Sequence, residues 1–328
     1  MKDLIKIKNE SGIPLIGCIA FGIIDRGTNL LQIRPTTVCN LNCPFCSTDA
    51  GVNSKWHDMN FEVDCDYILK ELEKIIKVKG CSIEANIDSM GETSTYPKLV
   101  DLVKGIKNLK NIRKISMQTN GTGLNKGKIR ELKEAGMNHI NLSMHTLNRE
   151  KAKILAGTES YDIEKIKNVA KEIAKSGIDL CITPVYLPNV NENDIAEIIK
   201  FAKSIDASLG LQKYEIYRYS RKMKHAKMQN WWKFYRQLKE WEKKYNIKLI
   251  ITAKDVGIKK CARINEVFNP NEIIYGIVKS SGWINGQMIT VARERCISVN
   301  KCNSNINDKV KIRILETKNN IYVGDLAT

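Results

Sequence analysis

Histidine is scarce in this chain. Its 328 residues hold four, His57, His139, His145 and His225, which leaves few nitrogen partners for a zinc site of the Cys/His type. No stretch of about 18 uninterrupted apolar residues occurs, so no membrane span is expected. The opening Met-Lys-Asp-Leu-Ile-Lys-Ile-Lys-Asn-Glu has no apolar run of the kind a secretory leader needs. With 7 prolines and 43% hydrophobic residues the composition is that of a soluble globular protein. The length gives ample core for one large domain and a small one. A cytoplasmic location is expected, where thiols stay reduced and disulfides are rare.

Ten cysteines in such a protein point to metal binding or reactivity rather than to cross-links. Three of them, Cys39, Cys43 and Cys46, lie in Arg34-Pro-Thr-Thr-Val-Cys-Asn-Leu-Asn-Cys-Pro-Phe-Cys with the spacing C-x3-C-x2-C. No second C-x2-C pair lies near this run, which argues against zinc. Three thiolates on one short loop can hold three irons of a [4Fe-4S] cube, a cluster that normally takes four cysteines. The fourth iron is then open to another ligand, and the loop reads as reactive.

This spacing, with the aromatic Phe45 before the last cysteine, resembles the radical S-adenosylmethionine (SAM) enzymes. The resemblance implies that the amino and carboxylate groups of SAM chelate the fourth iron. It also implies reductive cleavage of SAM to methionine and a 5′-deoxyadenosyl radical. From residue 30 to about 217, β-branched runs alternate with amphipathic helical runs, the signature of βα units on a parallel sheet. Strands are expected at 30–38, 81–89, 112–119, 139–144, 178–187 and 209–217. Helices are expected at 62–79, 96–109, 125–135, 161–175 and 192–204. Six such units suit the partial (β/α)6 barrel of that family, with chemistry at the C-terminal strand ends.

Other landmarks follow from the resemblance. Ser89-Met-Gly-Glu92 is similar to the Gly-Gly-Glu motif that holds the SAM amino group, and this assigns Gly91 and Glu92. Thr119-Asn-Gly121 ends the third strand, with Asn120 as a cofactor contact. Ser143 stands where the family contacts the SAM ribose. Ile182-Thr-Pro-Val-Tyr-Leu-Pro188 looks like the adenine-side wall, with Pro184 in it, and the Phe45 main chain is expected to face the adenine too. The electron is expected from a donor such as ferredoxin or flavodoxin.

The net charge of +17 is uneven: +3 over residues 1–212, +9 over 213–248 and +5 over 249–328. A localised excess looks like a footprint for a polyanion. Around it lie Arg218, Arg221, Lys222, Lys224 and Lys227 with no interleaved acids, then a helix expected from Asn230 to Tyr245. On that helix Trp231, Phe234, Leu238 and Trp241 form an apolar stripe expected to be buried. Trp232, Arg236, Lys239 and Lys243 form a separate stripe suited to phosphates and a stacked base.

From residue 249 short strands are expected at 273–281, 287–299, 309–315 and 320–326. In the third, Val310, Ile312 and Ile314 alternate with Lys309, Lys311 and Arg313, so one face is core and the other basic. This ending resembles a TRAM domain, the small RNA-binding β-barrel of several tRNA-modifying enzymes. The expected organisation is an N-terminal extension over 1–29, a radical SAM barrel with a basic helix over 30–248, and a small OB- or TRAM-like β domain over 249–328. The whole chain also resembles uncharacterised archaeal iron–sulfur radical SAM proteins.

Cys18, Cys65, Cys81 and Cys181 sit among apolar neighbours and read as buried hydrophobes. Cys261, Cys296 and Cys302 cluster in the last third; Cys296 and Cys302 are candidates for a second iron–sulfur cluster, or one of them for a nucleophile. The expected function is a radical SAM enzyme that modifies RNA, tRNA first. Its rivals are a radical SAM enzyme for a small molecule or peptide, and a non-catalytic iron–sulfur RNA-binding protein.

Overall fold

The computed structural model describes residues 2–327. The chain forms two compact units. One holds the chain up to Val38, Ser54–Ile115 and the chain from Lys259 on; the other holds Cys39–Asn53 and Ser116–Ile258. The expected boundaries at 30 and 249 are therefore not where the units divide. The reason is pairing across those boundaries. Asp3–Ile7 pairs in parallel with Met59–Val63, and Gly22–Asp25 pairs antiparallel with Leu30–Arg34. At the other end of the chain, Cys261 N donates to Gly27 O and Asn29 N to Lys259 O.

In the first unit Leu30–Arg34 pairs in parallel with Ile83–Ile87, and every residue of the latter strand is buried. That continuous burial is what a strand covered on both faces requires. A fully buried ion pair closes this region: Lys79 Nζ lies 2.7 Å from Asp25 Oδ1, and both side chains are shielded from water. Asp25 also accepts from Gly27 N at 2.8 Å and Ile264 N at 2.9 Å. With its remaining lone pairs filled in this way, removing either partner should cost about 3–5 kcal/mol.

The same unit contains a closed five-stranded barrel of Ile273–Ser281, Met288–Ala292, Arg295–Asn300, Val323–Leu326 and Lys309–Glu316, in that order around the barrel. Val278, Ile297, Val299, Ile312, Ile314 and Tyr322 fill it. The expected strand 287–299 is a hairpin, because Arg293 and Glu294 both turn through the left-handed region at φ 47° and 56°.

Parallel strands follow in the order Ile112–Thr119, whose first half belongs to the first unit, then His139–Leu142, Asp179–Ile182 and Ser208–Leu209 in the second. With Leu30–Arg34 and Ile83–Ile87 these match the six expected strands in number and order. The strands expected at 178–187 and 209–217 are shorter, each followed by a two-residue strand, Val185–Tyr186 and Gln212–Lys213, that pair with each other. Lys126–Ala135, Ile163–Lys175 and Glu192–Ser204 are the expected helices, and Arg149–Ala156 is an additional one. Asn125, Asn148 and Asp162 start three of the four, each side chain accepting a backbone N–H of the first turn.

Candidate active site

The strand Leu30–Arg34 ends ahead of Cys39, and Pro35–Val38 is fixed by backbone pairing instead. Thr37 N donates to Phe61 O at 3.0 Å and Val63 N to Pro35 O at 2.8 Å. Val38, next to the first cysteine, accepts from Glu92 N at 2.7 Å and from Thr95 Oγ1 at 3.2 Å. Gly91 lies so close that a Cβ there would sit 2.1 Å from Val38 O and 2.4 Å from Thr37 O. No residue with a side chain can occupy that position unless the backbone moves. The Glu92 carboxylate is buried and accepts from Ser94 N at 2.8 Å, which orients it.

Beyond Val38 the chain enters the cysteine loop. Cys46 N donates to Cys43 O at 3.1 Å, closing a turn over the second and third cysteines. All three cysteines are partly exposed. Burial pushes the Cys43 thiol well up, the neighbouring Cys46 and Cys39 push it further, and Arg221 opposes them. Among the described residues no three His, Cys, Asp or Glu side chains are gathered as a ready metal site; a metal would draw the three together as thiolates and remove this repulsion.

The loop is tied down at several points. Asn42 N donates to Ala156 O at 2.9 Å, at the end of the additional helix. The cap residue Gly157 has φ 67° and leaves no room for a Cβ against Asn42 O. Asn120 Nδ2 donates to Asn40 Oδ1 at 3.1 Å, and Asn40 Nδ2 donates to Thr122 Oγ1 at 2.8 Å. The Phe45 ring packs with Leu155, Leu187 and Tyr214 and meets His145 edge-on at 4.8 Å.

Of the remaining sequence-assigned positions, Ser143 N donates to Thr119 O at 2.9 Å, beside Asn120. Pro184 is buried, and its carbonyl accepts from Gln212 N at 2.8 Å. His145 was not foreseen, since a lone histidine at a strand end carries no spacing signal. Its Nδ1 accepts from Val185 N at 3.0 Å, which puts the proton of the neutral ring on Nε2. Burial pushes its pKa down to about 4.

Several buried hydroxyls near these motifs have no hydrogen-bond partner: Ser89, Thr93 and Ser94 around the Gly91-Glu92 turn, and Thr183 beside Pro184. Buried polar groups are ordinarily satisfied. Orphan hydroxyls at the motif positions are what a polar cofactor would complete, so these residues fit SAM. When bound, the cluster and SAM supply a carbon radical generated by one-electron reduction. The protein's share is to hold the thiolates, orient the carboxylate of Glu92 and bury the surrounding polar groups.

Other assignments require correction. Arg221, expected among the RNA contacts, is turned inward instead: its Nε lies 2.5 Å from Asp49 Oδ1, and its other nitrogens donate to the cysteine loop. Cys81 and Cys261 form a disulfide, so Cys81 is not simply a buried hydrophobe and Cys261 has no thiol for a second cluster. Cys296 is inaccessible, its sulfur donating to Pro14 O and its pKa raised by burial. Cys302 lies in the barrel core. Neither can serve as a nucleophile without local unfolding, and Cys261, Cys296 and Cys302 form no common site. On the helix Trp231–Tyr245, Phe234 and Leu238 are buried as expected, but Trp231 is 54% exposed, stacked on Tyr235 at 5.7 Å. It is the first residue of the helix, so one side lacks the neighbours that would cover it. Arg218, Lys222, Lys224, Trp232, Arg236 and Lys239 are exposed.

Parallel strands feeding a loop of three cysteines, followed by a Gly-Glu turn ringed with orphan hydroxyls, define an iron–sulfur enzyme of the SAM-dependent type. The chain matches the Radical SAM superfamily over residues 33–202. It belongs to that superfamily, and membership implies a [4Fe-4S] cluster and SAM. It is 39% identical to an uncharacterized protein of Methanocaldococcus jannaschii, over 96% of this chain and 79% of that protein. It is also 29% identical to a Probable GTP 3′,8-cyclase of Pyrococcus abyssi, over 57% of each chain, so it spans little more than half of that relative. Among solved structures, a radical SAM methyltransferase from Sphaerobacter thermophilus is similar with a TM-score of 0.53 at 13% identity, covering 68% of this chain and 65% of that one. SuiB of Streptococcus suis, bound to its precursor peptide SuiA, is similar with a TM-score of 0.52 at 19% identity, covering 69% and 48%. These two similarities concern the fold. No helix among the described residues is long and apolar enough to cross a membrane.

Proposed function

We propose that this radical SAM enzyme modifies RNA, tRNA in the first instance, drawing its electron from a ferredoxin- or flavodoxin-like donor. The observation that carries the reading is the outer face of the C-terminal barrel. Tyr275 is 60% exposed there, with Lys309 Nζ 4.9 Å from its ring. It pairs across the strands with Lys311, and Ile273 pairs with Arg313. Val310, Ile312 and Ile314, which alternate with these cations, are buried in the barrel. An aromatic ring among cations, held by a rigid β-barrel, suits stacking on a base with phosphates alongside, and it supports the TRAM-like reading. On the helix Trp231–Tyr245, Trp232 is exposed with Arg236 4.7 Å from its ring, and Lys239 is on the same helix. This offers a second place for the same chemistry.

Electrophoretic mobility shift with tRNA at increasing salt tests the reading. Three phosphate contacts from Lys309, Lys311 and Arg313 give a slope of log K against log salt of about −2 to −3. Binding that is absent at low salt, or that ignores salt, refutes it. A second reading is a nucleotide-sized substrate, favoured by the 29% identity to the Pyrococcus abyssi cyclase. In that case GTP should bind and the triple substitution Lys309→Ala, Lys311→Ala, Arg313→Ala should leave turnover intact.

A further inference from the structure

The cysteine loop, Cys39–Asn53, contains neither helix nor strand. Its carbonyls therefore need partners from elsewhere, since buried backbone groups are nearly always paired. One residue supplies four of them. Arg221 N donates to Cys46 O at 2.9 Å. Its guanidinium donates to Cys43 O at 3.2 Å, to Ala50 O at 2.7 Å and to Asp49 O at 3.4 Å. Its Nε pairs with the Asp49 carboxylate, whose side chain is 2% exposed against 15% for that of Arg221. The neighbouring Ser220 Oγ donates to Ser47 O at 2.9 Å, and Met223 N donates to Tyr214 OH at 2.9 Å. The run 220–223 is thus strapped along the loop, across a separation of more than 170 residues. Asp49 reaches Arg221 from a left-handed backbone conformation, φ 54°, which an L side chain adopts only when its surroundings hold it there.

Only arginine can make this set of bonds. Its planar fork presents five N–H donors at fixed angles, whereas a lysine ammonium is a point charge on a flexible stem. Two of the accepting carbonyls belong to Cys43 and Cys46 themselves. The cation therefore sits directly behind the turn that carries two of the three thiolates, in a partly buried place where charge is weakly screened. A positive charge there favours the more negative, reduced form of any cluster held by that turn. The Asp49 carboxylate, paired with the guanidinium Nε, acts in the opposite sense.

We propose that Arg221 is a positioning residue for the cluster: it fixes the Cys43–Cys46 turn for metal loading, and its charge, moderated by Asp49, sets how readily the cluster is reduced. This inference is independent of what the enzyme acts on, and stands or falls apart from the RNA reading. Its test is the reduction potential of the anaerobically reconstituted full-length protein, titrated with dithionite and followed optically and by electron paramagnetic resonance, with iron per chain measured alongside. Arg221→Met is expected either to load less iron or, when loaded, to be at least tenfold harder to reduce, a shift of 59 mV to more negative potential for one electron. Asp49→Asn keeps the size and tolerates the left-handed backbone, and it is expected to move the potential the other way. The exposed neighbours Lys222→Met and Lys224→Met are expected to leave both readouts at the wild-type value.

A residue that merely holds the fold together would produce no opposed signs. Full iron loading with an unchanged potential in Arg221→Met overturns the proposal, as does a negative or absent shift in Asp49→Asn. Equal shifts in the Lys222 or Lys224 variants overturn it too. Should Arg221→Met not fold by circular dichroism, the sign of the Asp49→Asn shift decides the matter.

Discussion

Replacing Gly91 by alanine probes the site at the point where space is tightest. The added methyl would lie 2.1 Å from Val38 O and 2.4 Å from Thr37 O, both backbone atoms that no rotamer change can move away. Reaching ordinary contact requires the two segments to separate by more than an ångström. That movement breaks the 2.7 Å bond from Glu92 N to Val38 O. Overpacking of this kind costs about 1–3 kcal/mol, and the lost hydrogen bond adds about 0.5–1.5 kcal/mol. Together they predict a loss of about 2–4 kcal/mol, small enough for the variant to be isolated. The functional loss should be larger in proportion. Val38 precedes Cys39 and Glu92 follows Gly91, so the chain leading into the cysteine loop and the Gly-Glu turn shift at once, and misplacement by about 1 Å costs about 100-fold in rate. The assay is 5′-deoxyadenosine formed from SAM under dithionite, measured by liquid chromatography, with urea unfolding on the same preparations. Gly127→Ala is the control, because its added Cβ meets only the Asn125 side chain, at 3.3 Å. A Gly91→Ala protein that cleaves SAM at the wild-type rate would refute the reasoning.

Two other predictions follow from buried groups. The His145 pKa is about 4 in the fold against an ordinary 6.5, so the unfolded chain takes up a proton first as pH falls. Stability is then fully present above pH 6.5 and declines towards pH 4, by roughly 3 kcal/mol for this one group. Urea midpoints should fall more steeply across that window in the wild type than in His145→Gln, and parallel curves would contradict the assignment. The Cys81–Cys261 disulfide leaves eight free cysteines. Alkylation of the metal-free protein in denaturant without reductant should add eight labels, with ten after reduction, and reduction should lower stability by about 2–4 kcal/mol. Ten labels without reductant would show that the bridge does not form.

What could be read from the sequence was whatever is local. The strand Ile112–Thr119 ends where Asn120-Gly121 interrupts a β-branched run, and Ile273–Ser281 is bounded by turn residues on either side. Both strands lie where the pattern puts them. The cysteine loop was legible because its chemistry depends on spacing alone. Long-range pairings were hidden. Nothing near residue 3 signals a partner at residue 59, and nothing near Cys81 signals Cys261, 180 residues on. The Arg221 partner was hidden for the same reason: in sequence it belongs to a basic run, whereas in space it pairs with Asp49. The Arg293-Glu294 hairpin was missed because it adopts left-handed geometry without the glycine or asparagine that usually marks it. His145 gave no signal at all, since its role depends on the Val185 N–H and the Phe45 ring.

The central claim is that Cys39, Cys43 and Cys46 hold a cluster at which SAM is reductively cleaved. The most direct measurement is 5′-deoxyadenosine and iron per chain, taken together, for the reconstituted wild type and for Cys43→Ala. The account predicts close to four irons per chain and reductive SAM cleavage in the wild type, with both lost in the variant. Undiminished cleavage by Cys43→Ala, or a wild type that binds four irons and cleaves no SAM, would contradict it.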